Sequence, residues 1–378
     1  MQKKLVLFPF PGDSIGGSLI STVILARALK SSEQFEAKVI LHAEGSVSDW
    51  LKSRGVDFEV LENCPTYNPS RSKLERISDL LKSRRSISAI VNKLRPCIVH
   101  TNDIRTHITW AIGVFGTTAS HVWHQRTRWS GSFFVRILAR QAACRFAISR
   151  YVQEELNTIV GVDSVYVRNP LPDQKLKIGR VQARSQLLGW NAQLCEERPL
   201  VCFVGALSYQ KRPKDFIEII ARTNSTSGER IQWVMIGKDG DYKSEDLRDF
   251  AKHKGVDHSV IIQPFTDEIN VWYEAMDILI ATSEHEGLGR NILEAMSAET
   301  AVIASRSGGH PELIHHGKTG FLEELGDVEG FSKRVNFLIS DHSKREEVGR
   351  SASLTVDEDF HPKRICEEVI LVYNTLCT

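Results

Sequence analysis

One stretch in the second half of the chain combines two carboxylates, two glycines and the expected start of a helix. It spans residues 283–296, reads SEHEGLGRNILEAM, and follows an apolar run at 278–282. Glycine lets the backbone approach a ligand closely, and the free N–H groups of a helix start favour an anion such as phosphate.

The two carboxylates of this stretch are candidates for binding sugar hydroxyls. Glu294 stands ~7 Å along the expected helix, at ~1.5 Å of rise per residue, within reach of a ribose. Glu286 precedes the helix and is a candidate for holding the hydroxyls of a second sugar. On spacing alone, a solvated loop position for Glu286 and a capping or surface position for Glu294 remain open.

A histidine in the first half of the chain is a further candidate. His124 lies near the end of the apolar run 121–125. Open α/β sheets bind ligands at the carboxyl ends of their strands, so we expect His124 to face a ligand. A hydrogen-bonded core histidine is the alternative interpretation.

These residues need elements that position them, and the chain predicts alternating strands and helices. Short runs rich in Val, Ile, Leu and Phe recur in both halves without polar alternation, which is typical of strands buried in a parallel sheet. Helical stretches such as 17–30, 71–94 and 214–223 lie between them. This alternation predicts an α/β fold of two doubly wound parallel-sheet domains.

The length of 378 residues also favours two domains. Prolines 170, 172 and 199 mark the boundary. We expect a first domain over 1–172, a second over 173–359, and a closing helix in 360–378 that packs back on the first. The first residues are interpreted as a strand and not as a signal peptide, because Pro9 and Pro11 interrupt the apolar run.

The spacing of Glu286 and Glu294 resembles the signature of retaining glycosyltransferase family 4, the glycosyl transferases group 1. The sequence GLG lies between the two glutamates, and LEAM closes the motif. Further pieces follow the order of that family: VGAL at 204–207 with Lys211, WVMIG at 233–237, WYEAMD at 272–277, and a long glycine-containing run over 301–322. The first half is similar more loosely, at 16–18, 147–152 and 167–170.

The resemblance implies a GT-B fold, in which two Rossmann-like domains face a cleft, and it implies a set of site residues. Glu286, Lys211 and His124 are expected to act in catalysis. The residues expected to contact the nucleotide-sugar are Gly16, Gly17, Arg212, Gly287, Leu288, Gly289, Arg290, Asn291 and Glu294. The chain departs from the family at Ala206, where the family has an arginine beside the leaving diphosphate. Arg212 and Arg290 are candidates to supply that charge.

The implied reaction moves a sugar from a UDP- or GDP-sugar to a glycan or lipid-linked acceptor, with retention of anomeric configuration. Cell-surface polysaccharide or lipopolysaccharide synthesis is the expected setting. We expect no metal and no cofactor, since local cations and a helix start can stabilise a departing diphosphate. Asp239 and Asp241 have the spacing of a metal-binding pair, but a turn is expected there. The resemblance places the donor on the second domain and the acceptor on the first.

The formal net charge of +1 conceals an asymmetry. Residues 1–172 hold 23 Lys and Arg against 14 Asp and Glu, a charge of +9, and the remainder carries −8. An anionic membrane surface is the expected partner, because no RNA motif or basic–aromatic interleaving suggests nucleic acid. The stretch 71–95 has a basic and a rough apolar face, typical of a helix on an anionic membrane. A helix packed on its own sheet is the alternative.

Seven dispersed cysteines without a CxxC pair predict reduced thiols and a cytoplasmic protein. The basic first half adds the expectation of a peripheral position on the inner face of the membrane. Two other functions remain open. One is a sugar-nucleotide 2-epimerase-like GT-B enzyme, and the other is a non-catalytic GT-B binding protein. A nicotinamide dehydrogenase is not favoured, because no GxGxxG follows a predicted strand.

Overall fold

The computed structural model describes residues 3–129, 131–172, 178–191, 193–227 and 230–377. The chain forms two compact units, one of Met1–Pro172 with Phe360–Thr378 and one of Asp173–Asp359. The closing segment adds two basic and two acidic residues, so the first unit has a formal charge of +9 and the second −8.

The described residues of the first unit form a seven-stranded parallel sheet in the order β3-β2-β1-β4-β5-β6-β7. Its strands are β1 (Lys4–Phe10), β2 (Phe35–Leu41), β3 (Phe58–Val60), β4 (Ile98–Thr101), β5 (Ser120–Gln125), β6 (Cys144–Ala147) and β7 (Val165–Tyr166). Its first helices are α1 (Gly17–Lys30), α2 (Ser46–Ser53), α3 (Lys73–Leu94), α4 (Ile104–Gly113), α5 (Phe133–Gln141) and α6 (Arg150–Val160).

The described residues of the second unit form a six-stranded parallel sheet in the order β10-β9-β8-β11-β12-β13. Its strands are β8 (Leu200–Val204), β9 (Gln232–Gly237), β10 (Val260–Pro264), β11 (Ile278–Ala281), β12 (Ala301–Ser305) and β13 (Phe321–Glu323). Its helices are α7 (Arg180–Trp190), α8 (Pro213–Ser227), α9 (Ser244–His253), α10 (Ile269–Ala275), α11 (Arg290–Ser297), α12 (His310–Leu313), α13 (Val328–Ser340) and α14 (His342–Asp359).

Central strands are apolar on both faces because helices cover both sides of each sheet. In β1, Val6 and Phe8 belong to one buried cluster, whereas the intervening Leu7 belongs to the cluster on the other face. The predicted α/β class with two doubly wound parallel sheets is therefore confirmed. Both sheets reverse strand order beside their first strand, between β1 and β4 and between β8 and β11. Such switch points are where open α/β sheets bind ligands.

The closing helix α15 (Pro362–Leu376) packs on the first unit. Ile365, Val369 and Tyr373 join the core that contains β1 and α1. Cys377 follows the helix and forms a disulfide with Cys97, which precedes β4. The expectation of reduced thiols is wrong for this pair, because 280 residues of sequence separate two cysteines that the fold brings together.

Two smaller differences concern the second unit. The short strand β13 lies within a run that the sequence marked only as a motif. The helix α7, which the motifs do not mark, begins at Arg180, and residues 173–177 lie outside the described part of the chain. Among the described residues, no helix is long and apolar enough to cross a bilayer.

Candidate functional site

Three loops meet at the carboxyl ends of neighbouring strands β8, β11 and β12. Glu284 donates its backbone N–H to the carbonyl of Gln210 (2.8 Å), which joins the loop after β11 to the loop after β8. Gly309 donates to the carbonyl of Glu286 (2.9 Å), which joins the loop after β11 to the loop after β12. The 283–289 loop is thus held between two others at the switch point of the second sheet.

Two glycines make the contact with the third loop possible. A Cβ on Gly308 would lie 2.3 Å from the carbonyl oxygen of Glu286, and one on Gly309 would lie 2.5 Å from that of Gly287. Gly308 also has φ of +60°, which favours glycine. Because these two glycines have no side chain, the loop after β12 can contact the backbone of Glu286 and Gly287 directly.

Lys211 and Glu286 form an ion pair across this junction. Lys211 Nζ lies 2.6 and 2.7 Å from the two carboxylate oxygens of Glu286, and the side chains are only 17% and 16% exposed. Burial acts to raise the pKa of Glu286, but the Lys211 ammonium outweighs it and holds that pKa well below its usual range. Glu286 is therefore a carboxylate that can accept further hydrogen bonds.

His310, the first residue of α12, lies beside this pair and has no exposed surface. Its Nδ1 lies 3.0 Å from the carbonyl oxygen of Ser305 and donates to it. Its Nε2 is 3.6 Å from Glu286 Oε2 and has no hydrogen-bond partner among the described residues. His310 is not among the site residues that the sequence predicts. Its place after Gly308 and Gly309 is the signal that could have found it.

The helix α11 begins at this junction without a capping side chain. Gly289 is its N-cap, with φ of +107°, and no acidic residue lies in its first turn. Asn291 donates from Nδ2 to the carbonyl of Val204 (2.8 Å), which fixes the helix start to the end of β8. The side chain of Leu288 is buried. A helix start without a capping side chain suits an anion.

The remaining predicted cations are also paired with carboxylates. Arg290 Nε donates to Glu294 Oε1 (2.7 Å) within α11. Arg212 Nε donates to Asp215 Oδ2 (2.7 Å), and its Nη1 lies 3.4 Å from Glu284 Oε2. Buried or half-buried cations need such counter-ions. The site is therefore a set of ion pairs, in which three cations face four carboxylates.

Glu294 has a second neighbour on α10. Burial together with the charge of Glu294 and a hydrogen bond to it raises the pKa of Tyr273 well above its usual value, so Tyr273 remains a neutral hydroxyl. The Glu294 carboxylate thus sits between Arg290 and Tyr273. Its orientation is set from two sides.

Asp239 and Asp241 serve the turn after β9. Asp239 Oδ1 accepts from the backbone N–H and the hydroxyl of Ser244 at 3.0 and 2.7 Å, at the start of α9. Asp241 Oδ2 accepts from the backbone N–H of Tyr209 at 2.8 Å. These contacts are the turn interactions that Asp is expected to make.

Three predicted residues belong to the first unit. Gly16 is the exposed N-cap of α1, which begins at Gly17, and a Cβ on Gly16 would meet nothing within 4 Å. No side chain caps this helix, and its first turn has no acidic residue. His124 lies inside β5 and is 1% exposed. His124 is therefore enclosed in the first unit, whereas the predicted residues of the second unit converge at the switch point of its sheet.

The comparison with family models concerns the second unit. Residues 190–354 match the model described as Glycosyl transferases group 1. The second unit carries a glycosyl transferases group 1 domain. The Lys211–Glu286 pair, the start of α11 and Glu294 all lie inside this group 1 domain.

Curated relatives match the same part of the chain. Capsular polysaccharide biosynthesis glycosyltransferase CapM of Staphylococcus aureus is 26% identical over 183 residues, 48% of this chain and 48% of its own. Sulfoquinovosyl transferase SQD2 of Arabidopsis thaliana is 35% identical over 159 residues, 41% of this chain and 29% of its own. The match thus spans half or less of each relative.

A solved structure shows the same fold over both units. Anabaena HepE, crystallised in complex with UDP-glucose, is 20% identical with a TM-score of 0.83, and the superposition covers 98% of this chain and 99% of that one. The chain therefore has the GT-B architecture of two Rossmann-like units.

Proposed function

We propose that the protein is a retaining glycosyltransferase that moves a sugar from a UDP- or GDP-sugar to a glycan or lipid-linked acceptor. The Lys211–Glu286 pair beside the start of α11, at the switch point of the second sheet, carries this proposal. It combines a cation for a leaving diphosphate, a carboxylate for sugar hydroxyls and a helix start for phosphate in one place.

The arrangement supports a reaction in which the protein orients the donor and stabilises the leaving group. The diphosphate binds at the N-terminus of α11, Glu294 accepts hydrogen bonds from the ribose, and Glu286 accepts them from the donor sugar. As the anomeric bond breaks, negative charge develops on the diphosphate, and Lys211 stabilises it from a position that Glu286 already fixes. The acceptor attacks from the same face, and the leaving phosphate oxygen takes its proton.

The relatives support the donor and the setting. HepE was crystallised with UDP-glucose, and CapM is named for capsular polysaccharide biosynthesis. We infer a nucleotide-sugar of the UDP type as the first donor to test, and a surface polysaccharide or its lipid-linked precursor as the acceptor. No metal is required in this proposal, because Lys211, its neighbouring cations and the start of α11 face the diphosphate.

The experiment is to measure nucleoside diphosphate release from a panel of UDP- and GDP-sugars, with and without glycan or lipid-linked acceptors, and with EDTA. Release that depends on the acceptor and persists in EDTA is the expected result. Interconversion of the donor's sugar without acceptor would instead indicate a 2-epimerase. Tight nucleotide-sugar binding without turnover would indicate a binding protein. Loss of release in EDTA, restored by a divalent cation, would contradict the metal-independent mechanism.

The helix α3 supports an anionic membrane as a partner of the first unit. Its second half packs inward through Ile87 and Val91. In its first half, Leu74, Ile77 and Leu81 are 81%, 47% and 58% exposed. The basic residues that lie exposed on the same helix are Lys73, Lys82, Arg84, Arg85 and Lys93. Exposed apolar side chains among cations, on a unit of charge +9, complement an anionic lipid surface.

Co-sedimentation with vesicles tests this partner and, with it, a location on the inner face of the membrane. Wild-type protein should bind anionic vesicles and not neutral ones. Replacing Leu74, Ile77 and Leu81 together with Gln should abolish that binding. The control replaces three other exposed apolar helical residues, Val181, Leu354 and Leu371, which are 80%, 71% and 70% exposed. Equal binding to neutral vesicles, or equal loss in the control, would contradict the assignment to α3.

A further inference from the structure

A chain of hydrogen-bonded side chains links the closing helix α15 to His124 in β5. The hydroxyl of Tyr373 lies 2.5 Å from Nδ1 of His100. Nε2 of His100 lies 3.0 Å from Nδ1 of His124. Tyr373 and His100 have no exposed surface. The chain therefore runs through the interior of the first unit and ends at His124 Nε2.

Aromatic rings enclose the two imidazoles. The rings of Phe8 and Phe146 lie 5.2 and 5.5 Å from that of His100, and Phe146 lies 5.5 Å from His124. Phenylalanine offers no hydrogen-bonding group. Burial, reinforced by the charge of Arg126, holds the pKa values of His100 and His124 well below normal, so each ring is neutral with one N–H.

Arg126 sets the direction of this chain. Its Nη2 lies 3.3 Å from Nδ1 of His124. A guanidinium only donates hydrogen bonds and is always charged, so the nitrogen that it faces carries a lone pair and no proton. Arg126 is itself held by the side-chain oxygens of Asn102 (2.9 Å) and Asn169.

The proton positions then follow along the chain. Because Nδ1 of His124 is unprotonated, the neutral ring carries its proton on Nε2. The Nε2–H of His100 must then donate to Nδ1 of His124. The Nδ1 of His100 is therefore unprotonated, and it accepts a hydrogen bond from the hydroxyl of Tyr373. The N–H at His124 Nε2 is buried and has no partner among the described residues, and a buried donor without a partner is costly.

We propose that Tyr373 and His100 are positioning residues that fix His124 in its Nε2–H form, and that this N–H donates to an oxygen of the bound substrate. His124 is then a hydrogen-bond donor and not a general base. The part about substrate rests on the proposed glycosyltransferase function, whereas the proton positions do not. No proton is transferred along the chain, so the proposal needs no co-reactant.

Nitrogen-15 NMR of the histidine rings tests the proton positions without any substrate. His124 and His100 should both be protonated on Nε2 and bare on Nδ1, with signals assigned by their loss in His124→Gln and His100→Gln. A proton on Nδ1 of His124, or a charged ring near neutral pH, would overturn the proposal. This measurement remains decisive even if no sugar nucleotide is turned over, an outcome that would refute only the proposed function.

Kinetics test the positioning role. Tyr373→Phe keeps the ring and removes one hydrogen bond, so kcat/KM should fall by ~2–10-fold. His100→Leu removes the donor to His124 and should cost more. His100→Gln retains an N–H donor at the far end of the side chain and should recover most of the loss.

The matched control is His42→Gln in the same unit. His42 is also buried, and its ring contacts the carbonyl of Cys64 (2.7 Å) and the indole N–H of Trp110 (2.7 Å). This variant should lower the melting temperature without changing kcat/KM. Equal kcat/KM in wild type, Tyr373→Phe and His100→Leu, or an equal loss in His42→Gln, would overturn the positioning role.

Discussion

The second unit presents its candidate ligand-facing groups as charged pairs in loops, whereas the first unit holds His124 in a neutral chain inside its sheet. Lys211 and Glu286 are ionised and retain some exposure. His100 and His124 are neutral and enclosed by aromatic rings. A charged pair offers strong but unspecific attraction, and a neutral chain offers one N–H in a fixed direction. The two units should therefore respond differently to acid and to loss of a partner.

Acid should distinguish the units most strongly. Burial lowers the pKa of His42 to about 4 and that of His121 to about 3, and it holds the pKa values of His100, His107 and His124 well below their usual range. The unfolded state binds their protons near pH ~6.5, so stability is full above that pH and falls as the pH drops, by ~1.4 kcal/mol per pH unit for each histidine.

The lowered pKa of Glu286 affects stability over a different pH range. Its contribution to the stability of the second unit is present above the ordinary carboxyl pKa of ~4.3 and is lost only as the pH falls below that value. The first unit should therefore unfold at a higher pH than the second. Hydrogen exchange by mass spectrometry, read on peptides of each unit between pH 7 and 4, measures this. Simultaneous unfolding of both units, or earlier loss of the second, would contradict the comparison.

Removal of the cation at the junction should have the largest effect on activity. Lys211→Ala deletes the group that we propose stabilises the leaving diphosphate, and it leaves Glu286 without its ammonium partner, so kcat should fall by about 100- to 1,000-fold. Steady-state kinetics on the preferred donor measures it. Lys254→Ala removes another lysine of the same unit, paired with Glu218 at 2.8 Å, and should leave kcat unchanged. A comparable loss in both variants would refute a specific role.

Glu294→Gln should act on donor binding. It weakens the hydrogen bond that Glu294 accepts from Arg290 and the one that we propose it accepts from the ribose, so KM for the donor should rise by about 10-fold with a smaller change in kcat. The matched control is Glu323→Gln, which alters a carboxylate that accepts from Arg334 at 2.8 Å. A fall in kcat alone would indicate that Glu294 acts on the bond that breaks and not on ribose binding.

His310→Asn should have the smallest effect. Asparagine can still donate to the carbonyl of Ser305, but it removes the nitrogen that faces Glu286. Activity should fall by about 3- to 10-fold, as expected for one hydrogen bond or less. An unchanged kcat/KM would show that His310 only fills space beside the pair.

The sequence was sufficient for most strands, for their division between two domains and for the loop motif around Glu286. Apolar runs and glycines are local signals, and the strand order follows general rules of parallel sheets. Partners distant in sequence were not predictable. The disulfide Cys97–Cys377 and the contact of Tyr373 with His100 join residues separated by 280 and 273 positions.

The ion pairs of the site also could not be predicted from the sequence. The sequence identified Lys211, Arg212 and Arg290 as cations for phosphate, but it could not show that each is already paired with a carboxylate. Which carboxylate faces which cation depends on how three loops meet. The ring of Phe146, which lies 5.5 Å from that of His124, belongs to another strand, so the motif around His124 does not indicate this neighbour.

A double-mutant cycle on Lys211 and Glu286 tests the central claim, that the pair acts as one unit on the nucleotide-sugar. The measurement is kcat/KM for Lys211→Ala, Glu286→Gln and the double variant on the preferred donor. The account predicts that the double variant loses little more than the worse single variant, because each residue depends on the other. Fully additive losses, or wild-type activity in either single variant, would contradict it.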